Sequence, residues 1–299
     1  MKKLLLICMA IALISCANGD AMVRILEDGI EQANRAKSQQ ELSDITVDVR
    51  ARGTVPNDVY IDYLRISQSV KLTSDIDDEA LAGEKHTGFD EPTVTDVAKQ
   101  VKQIVDSGVQ VGIVIGGGNF WRGRSSENID RTKADQIGML ATIMNCIYVS
   151  EIFRSVGMKT NILTPFECGS FTKLFSKDRA NKYFEKGMVV FFAGGTGHPY
   201  FSTDTGVVLR AIEVDAEVIL LAKSIDAVYD ADPAKNPDAK RYDEVTIHEV
   251  IEKNLQVVDM TASILARDNK MPMWVFGLNE ENSIVNTVKG NFNGTKVTV

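Results

Sequence analysis

A chain of 299 residues with 44% hydrophobic content is long enough for one large domain or two modest ones with a proper core. Its net charge of −8 gives no basic surface for nucleic acid, so any phosphate site must gather its positive charge locally. None of the four cysteines forms a Cys-X-X-Cys pair, which argues against zinc binding and dithiol redox chemistry.

The first sixteen residues have the layout of a secretory signal. Lys2 and Lys3 precede an apolar run over residues 4–14, and Leu13-Ile14-Ser15-Cys16 resembles a bacterial lipoprotein signal with a lipidated cysteine. The run is too short for an ordinary membrane span, and a buried core helix is the alternative. We expect contact with a membrane only if the Cys16 signal operates.

The remaining chain divides into an appended segment and a main domain. Residues 17–60 are predicted to be a helical or linker segment, and residues 61–299 form the predicted domain. One or two strands are expected within residues 57–72. Further along, apolar periodicity predicts helices over residues 94–105, 132–155 and 206–213, a helix starting at Thr246, and strands over 109–115, 160–164, 188–193, 217–222 and 273–276.

This alternation of apolar strands and helices predicts an α/β fold with a mostly parallel sheet covered on both faces. Ligands of such sheets bind beyond the carboxyl ends of the strands. Two predicted strands end there in glycine clusters, Gly116-Gly117-Gly118 and Gly194-Gly195-Thr196-Gly197. Backbone without Cβ atoms lets amide N–H groups approach a phosphate, and Arg122 adds a fixed charge nearby. The alternative for each cluster is a tight turn.

The familiar phosphate motifs are absent from the sequence. There is no G-x-x-x-x-G-K-[ST], and neither glycine cluster fits G-x-G-x-x-G, so a P-loop is excluded and a Rossmann dinucleotide site is disfavoured. Phosphoryl transfer needs positioned cations, Mg²⁺ and groups that orient the acceptor. Thr196 and residues 202–204 are candidates to hold a phosphate acceptor. The loop with Tyr229 and Asp232 either contacts a base or ribose or is a solvated acidic turn.

Five motifs in order resemble the bacterial uridylate (UMP) kinases of the amino-acid-kinase superfamily. They lie at residues 116–123, 130–139, 195–204, 228–233 and 266–269, and the resemblance covers about residues 79–299. It implies a three-layer α/β/α sandwich and transfer of the ATP γ-phosphoryl group to UMP with Mg²⁺. It also implies a cytoplasmic homohexamer that GTP activates and UTP inhibits.

The resemblance assigns roles to individual residues. It implies ATP binding by Lys71, Gly118, Arg122, Lys223, Tyr229 and Asp232. It implies UMP binding by Gly117, Asp135, Thr196, Gly197, His198, Pro199, Tyr200, Phe201, Ser202 and Thr203. The expected catalytic residues are Lys71, Arg122, Asp204 and Asp259, and no protein ligand to a metal is expected.

The segment before Glu79 departs from the family pattern. The family's first strand ends in Lys-Leu-Ser-Gly-Glu-Ala-Leu, whereas here Asp75, Asp77 and Asp78 precede Glu79. We expect Lys71 to replace the family lysine, with about four extra residues behind it, and the aspartates to repel phosphate by about 1 kcal/mol per close pair. We infer that residues 1 to about 70 or 78 do not belong to the ancestral kinase. Three functions remain open: an active UMP kinase, a nucleotide-binding protein with impaired catalysis, and a sister kinase that phosphorylates a carboxylate or carbamate.

Overall fold

The structure, a computed structural model, describes residues 71–82, 88–121 and 129–299, without the side chain of Glu79. These residues belong to one compact unit, Lys71–Val299. The predicted signal at residues 1–16, the appended segment at 17–60, the strand expected before residue 70 and Arg122 all lie outside the described residues.

Strands and helices alternate through most of the described chain. The strands are β1 (Lys71–Ile76), β2 (Gln110–Ile115), β3 (Thr160–Thr164), β4 (Lys173–Leu174), β5 (Val189–Phe192), β6 (Val218–Lys223), β7 (Val228–Tyr229), β8 (Arg241–Tyr242), β9 (Glu244–Thr246), β10 (Met273–Gly277) and β11 (Gly294–Thr298). The helices are α1 (Asp78–Ala82), α2 (Glu91–Asp106), α3 (Arg131–Ser155), α4 (Lys177–Phe184), α5 (Thr203–Glu213), α6 (Ile247–Glu252), α7 (Met260–Asp268) and α8 (Ser283–Lys289).

Nine of the described strands form one mostly parallel sheet in the order β4-β3-β5-β2-β1-β6-β10-β11-β9. The antiparallel pairing in this sheet is that of β10 with β11, and β9 then pairs with β11 in parallel. β7 and β8 form a separate antiparallel ribbon. Because β2, β1 and β6 are adjacent, the loops that follow them meet at one edge of the sheet.

Helices cover both faces of this sheet. The helices α2, α3 and α8 pack on one face, and α4, α5, α6 and α7 pack on the other. On the second face, alternate strand residues such as Val114, Phe192 and Leu221 pack against Val207 and Ala211 of α5. The expected three-layer α/β/α sandwich with a mostly parallel sheet is therefore confirmed.

The long helix α3 is apolar enough and long enough to cross a membrane. Its inner face nevertheless packs against the sheet, where Cys146, Val149 and Phe153 are fully buried. We therefore interpret α3 as a core helix of the sandwich, with Cys146 as one of its small core residues.

The central strand β1 is more polar than its neighbours. Its sequence, Lys-Leu-Thr-Ser-Asp-Ile, pairs without interruption with β2 on one side and β6 on the other. Within it, the Ser74 hydroxyl donates to the Leu220 carbonyl at 3.2 Å, which satisfies one of its buried polar groups. The strand has no bulge that would accommodate extra residues, so Ile76 leads directly through Asp77 into α1.

Candidate active site

A cleft of about 450 Å³ opens at the carboxyl edge of the sheet. It lies between the turn after β2, the first turns of α3 and the loop from β5 to α5. The lining residues are Gly117, Gly118, Trp121, Arg131, Asp135, Gly138, Met139, Thr142, Gly195, Thr196, His198, Phe201, Ser202 and Thr203. This volume is within the usual range for small-ligand sites, and glycine backbone borders it on two sides.

The turn after β2 is fixed by two buried asparagines. The Asn145 side chain donates to the Gly116 carbonyl at 2.7 Å and to the Asn119 side-chain oxygen at 2.7 Å. Asn119 in turn donates to the Gly88 carbonyl at 2.9 Å. A Cβ atom at Gly117 would lie 2.9 Å from the Gly138 carbonyl oxygen, so a glycine is needed where this turn contacts α3.

Asp135 lies in the wall of the cleft in a fixed orientation. The Arg131 Nε atom donates to both of its carboxylate oxygens at 2.8 Å, and the backbone N–H of Tyr200 donates to Oδ2 at 2.8 Å. These bonds join α3 to the loop from β5 to α5. Because each carboxylate oxygen has two acceptor sites, Asp135 retains capacity to accept from a ligand hydroxyl.

The N-terminus of α5 forms another part of the wall. The Ser202 hydroxyl accepts from the Thr205 N–H at 3.2 Å and donates to the Asp259 carboxylate. Thr205 also donates to Asp259 at 3.2 Å, and Asp259 caps α7 through the Ala262 N–H at 2.9 Å. Helix N-termini carry partial positive charge and attract anions, so this wall suits a phosphate group.

A charged cluster lies beside this helix start, at the end of β6. Lys223 Nζ donates to Asp75 at 2.6 Å and to Asp204 at 3.3 Å, and Asp204 also accepts from the Asp259 N–H at 3.2 Å. Burial raises the pKa of Asp75 to about 6, although the charge of Lys223 acts in the opposite direction. Burial works against the charged form of Lys223 as well, but Asp75 and Asp204 outweigh it and raise the pKa of the lysine. Lys223 is therefore a permanent cation at this edge.

Asp78, the first residue of α1, lies against the glycine turn. Its Oδ2 atom accepts from the Asn119 N–H at 2.6 Å. A Cβ atom at Gly116 would lie 2.3 Å from Asp78 Oδ1, which shows how closely the carboxylate approaches the bare backbone. One amide of the turn therefore already binds an anion, and this anion belongs to the protein.

The structure places Lys71 away from this site. It begins β1 opposite Gln110, whereas the glycine turn follows Ile115, which lies five residues further along and about 16 Å away at the usual rise per residue. Lys71 Nζ donates to the Asn181 side chain at 2.9 Å and to the Val214 carbonyl at 2.7 Å. This position argues against the expected ATP-binding and catalytic role of Lys71, because the side chain bonds to other groups at the opposite end of β1 from the glycine turn.

The expectation of about four extra residues behind Lys71 is wrong, because the strand is uninterrupted. Since β1 runs to Ile76 without extra residues, counting back from Glu79 puts Asp78 at the position of the family glycine. The same count puts Asp75 at the position of the family lysine. A second anion therefore stands where the family pattern has a cation, and it is paired with Lys223.

Of the other described residues assigned to ATP, Gly118 follows β2, whereas Lys223, Tyr229 and Asp232 lie at or after the end of β6. Gly118 lines the cleft, and Lys223 ends β6. Tyr229 belongs to β7, where its hydroxyl donates to Asp226 at 3.0 Å; burial and this carboxylate raise the pKa of the phenol. Asp232 is exposed and pairs with Lys235 at 3.0 Å, a contact that lowers the pKa of the carboxyl.

The residues assigned to UMP fall largely together. Seven of them line the cleft: Gly117, Asp135, Thr196, His198, Phe201, Ser202 and Thr203. Gly197, Pro199 and Tyr200 belong to the same loop but are not among the lining residues. The assignment missed other lining residues, of which Trp121, Arg131, Gly138 and Met139 lie inside motifs that the resemblance already marks.

Comparison with known proteins gives one consistent family. A family model described as the amino acid kinase family matches residues 76–277. The UMP kinase of Ureaplasma parvum is 32% identical over 78% of this chain and 100% of its own, with a TM-score of 0.74. The UMP kinase of Bacillus anthracis is 34% identical over 76% of this chain and 95% of its own, with a TM-score of 0.73. A uridylate kinase from Archaeoglobus fulgidus, at 23% identity and a TM-score of 0.60 over 77% of this chain and all of its own, supports the fold alone.

Proposed function

This chain belongs to the amino acid kinase family and is a kinase, and from that premise we propose that it transfers the γ-phosphoryl group of ATP to UMP, giving ADP and UDP. The observation that carries the proposal is the cleft at the sheet edge. It joins Asp135, the loop with Thr196 and the start of α5 around one space of about 450 Å³. The names of the two similar bacterial structures support UMP as the acceptor.

In this proposal UMP occupies the cleft. The Asp135 carboxylate accepts hydrogen bonds from ribose hydroxyls, since Arg131 and the Tyr200 N–H hold it in place. The N–H groups at the start of α5 bind the phosphate, because the positive end of the helix dipole favours an anion there. Phe201 and Thr196 are then left to contact the base.

ATP is proposed to bind along the adjoining edge, with Gly118 and Lys223 at its phosphates and Tyr229 and Asp232 near its base and ribose. Arg122 is proposed to contribute a second cation. No group of three His, Cys, Asp or Glu side chains within residues 71–82, 88–121 and 129–299 is placed to hold a metal ion. We therefore infer that Mg²⁺ arrives with ATP and is held mainly by the triphosphate oxygens.

The protein's part in the reaction is then positioning and charge. Phosphoryl transfer requires little covalent chemistry from the enzyme, because the attacking oxygen belongs to the UMP phosphate. Lys223 neutralises charge on the transferred group. Asp204 and Asp259 orient the surrounding donors: Asp204 bonds to Lys223, and Asp259 bonds to Ser202 and Thr205.

The test is a substrate panel with the purified full chain and MgATP. UMP, CMP, AMP and GMP are compared with aspartate, glutamate and carbamate, and product formation is followed by ³¹P NMR. We expect UDP as the main product. If a carboxylate or carbamate is phosphorylated instead, the sister-kinase alternative replaces this proposal.

A second candidate is a nucleotide-binding protein with impaired catalysis. The observation that favours it is the pair of carboxylates, Asp75 and Asp78, at the edge where ATP phosphates are proposed to bind. It predicts that UMP raises the melting temperature while turnover stays at background. UDP formation well above that of a boiled sample would exclude it.

A homo-oligomer is proposed because one face of α3 exposes a row of apolar side chains. Ile137, Leu140, Met144 and Ile147 follow helical spacing and are each 39–56% exposed. Light scattering of wild type and Leu140→Asp tests the proposal, since the charged side chain is expected to lower the measured mass. A hexamer with GTP and UTP as effectors stays a prediction from the resemblance.

A cytoplasmic location is proposed together with this activity, because ATP and UMP are cytoplasmic substrates. It conflicts with the lipoprotein-like pattern at residues 1–16, and the domain limits at residues 16 and 60 also stay predictions. Intact mass of the protein from cells would show whether the first segment is retained. Membrane fractionation of wild type and Cys16→Ala would show whether that cysteine anchors it.

A further inference from the structure

The β1–α1 segment supplies its own anion to the glycine turn. Asp78 Oδ2 accepts from the Asn119 N–H at 2.6 Å, a short distance typical of bonds to a charged acceptor. Its Oδ1 atom occupies the space beside Gly116 where a side chain would otherwise lie. One amide of the turn, together with the open space beside Gly116, is thus already taken by an anion of the protein.

The donor on this turn is also held in a fixed direction. Asn119 is 3% exposed, and its side chain bonds to Asn145 and to the Gly88 carbonyl. Asn145, which is fully buried, anchors the Gly116 carbonyl at the same time. Because both ends of the turn are tied to this pair, the Asn119 N–H cannot easily rotate towards another acceptor.

The neighbouring cation, Lys223, is also bonded to carboxylates of the protein. Lys223 Nζ is bonded to Asp75, which lies three residues before Asp78 in the same segment, and to Asp204 on α5. The backbone donor and the side-chain cation at this edge therefore both bind carboxylates of the protein. A triphosphate that binds to either donor has to displace the carboxylate already bonded to it.

We propose that the Asp78 carboxylate occupies the donor that a phosphate oxygen of ATP needs, and so weakens binding of the triphosphate without affecting the UMP cleft. The inference rests on the proposed function, since it assumes that a nucleoside triphosphate binds beside the Gly116–Gly118 turn. Asp78 does not line the cleft proposed for UMP. Its effect therefore falls on the phosphoryl donor and not on the acceptor.

Two substitutions separate the parts of this effect. Asp78→Ala removes both the charge and the acceptor, and Asp78→Asn removes the charge but keeps an amide oxygen that can still accept from Asn119. Because a hydrogen bond to a charged group contributes roughly a factor of ten or more to an equilibrium constant, we expect Asp78→Ala to bind the triphosphate about tenfold more tightly than wild type. Asp78→Asn is expected to fall between the two.

The experiment measures binding by calorimetry with the full chain and Mg²⁺. The probes are an ATP analogue with a methylene group between its β and γ phosphates, inorganic triphosphate and UMP. Asp106→Asn is the matched control, since it removes one carboxylate that bonds to Lys102 at 2.7 Å on the surface of α2, at the other end of the strands. Melting temperatures establish whether each variant is folded. If Asp78→Ala does not fold, the binding data for Asp78→Asn decide the outcome.

We expect both Asp78 variants to bind the analogue and inorganic triphosphate more tightly, with the affinity for UMP within twofold of wild type. In turnover, the KM for ATP should fall while the KM for UMP stays constant. Unchanged or weaker affinity for both triphosphate probes in both variants overturns the inference. If the affinities change as expected but UMP is not phosphorylated, the reaction in the proposed function is wrong and the role of Asp78 stands.

Discussion

Asp75→Asn tests whether burial destabilises the charged carboxylate of the Asp75–Lys223 pair. Asp75 is 3% exposed, and its partner Lys223 lies 2.6 Å away. Asparagine has nearly the same size and keeps an oxygen that accepts from Lys223, but it carries no charge. We expect the variant to gain stability relative to wild type as the pH rises.

The size of this gain follows from the pKa of Asp75. Burial raises that pKa from 3.8 to about 6, so the folded protein holds the proton more tightly than the unfolded chain. The stability linked to this proton is fully present below about pH 4 and is lost as the pH rises through 6. A difference of about two pKa units corresponds to about 3 kcal/mol.

The assay is urea unfolding of wild type and Asp75→Asn at several pH values between about 3 and 8, at constant ionic strength. Subtracting the two free energies of unfolding cancels the titration of all other groups that the substitution leaves unchanged. We expect this difference to move by about 3 kcal/mol in favour of the variant over that range. Asp106→Asn, which removes an exposed carboxylate, should show little such movement.

The opposite trend would refute the reasoning. If Asp75→Asn loses stability relative to wild type as the pH rises, the attraction of Lys223 exceeds the cost of burial. The folded-state pKa of Asp75 would then lie below its ordinary value. A flat difference would mean that burial and attraction cancel.

Three further substitutions probe the cleft and the core. Gly117→Ala places a Cβ atom 2.9 Å from the Gly138 carbonyl oxygen, so we expect a loss of about 1–3 kcal/mol in urea unfolding and a higher KM for UMP. Asp135→Asn weakens the bond from the Tyr200 N–H and removes a charged acceptor, and it should raise the KM for UMP about tenfold while the KM for ATP stays constant. Phe191→Ala empties a fully buried site in β5 and should cost about 3–5 kcal/mol in unfolding free energy without changing either KM in the folded protein.

The sequence alone determined the fold class and most of the cleft. Alternating apolar strands and helices predicted the parallel sheet, because strands buried on both faces must be apolar throughout. The glycine clusters at residues 116–118 and 194–197 marked the edge where backbone approaches a ligand. Motif order identified Asp135 and the loop with Thr196, although Arg131 and Trp121 were missed.

The sequence did not predict β1 beyond residue 72, nor the helices α4, α7 and α8. The polar residues Thr73, Ser74 and Asp75 interrupt the apolar pattern of β1, so the segment reads as a loop. Tertiary structure makes it the central strand because β2 and β6 satisfy its backbone hydrogen bonds on both sides. The local sequence pattern does not predict the pairing of β1 with β2 and β6, since this pairing joins residues that are far apart in the chain.

The same pairing decided which charges meet at the site. In a strand each residue advances about 3.3 Å, so the uninterrupted register carried Lys71 to the far end and brought Asp75 and Asp78 to the edge with Lys223 and Asn119. The sequence by itself determined that this edge offers glycine backbone to a phosphate. Only the tertiary structure decided that a carboxylate of the protein already occupies part of it, because that contact depends on strand register and not on residue order.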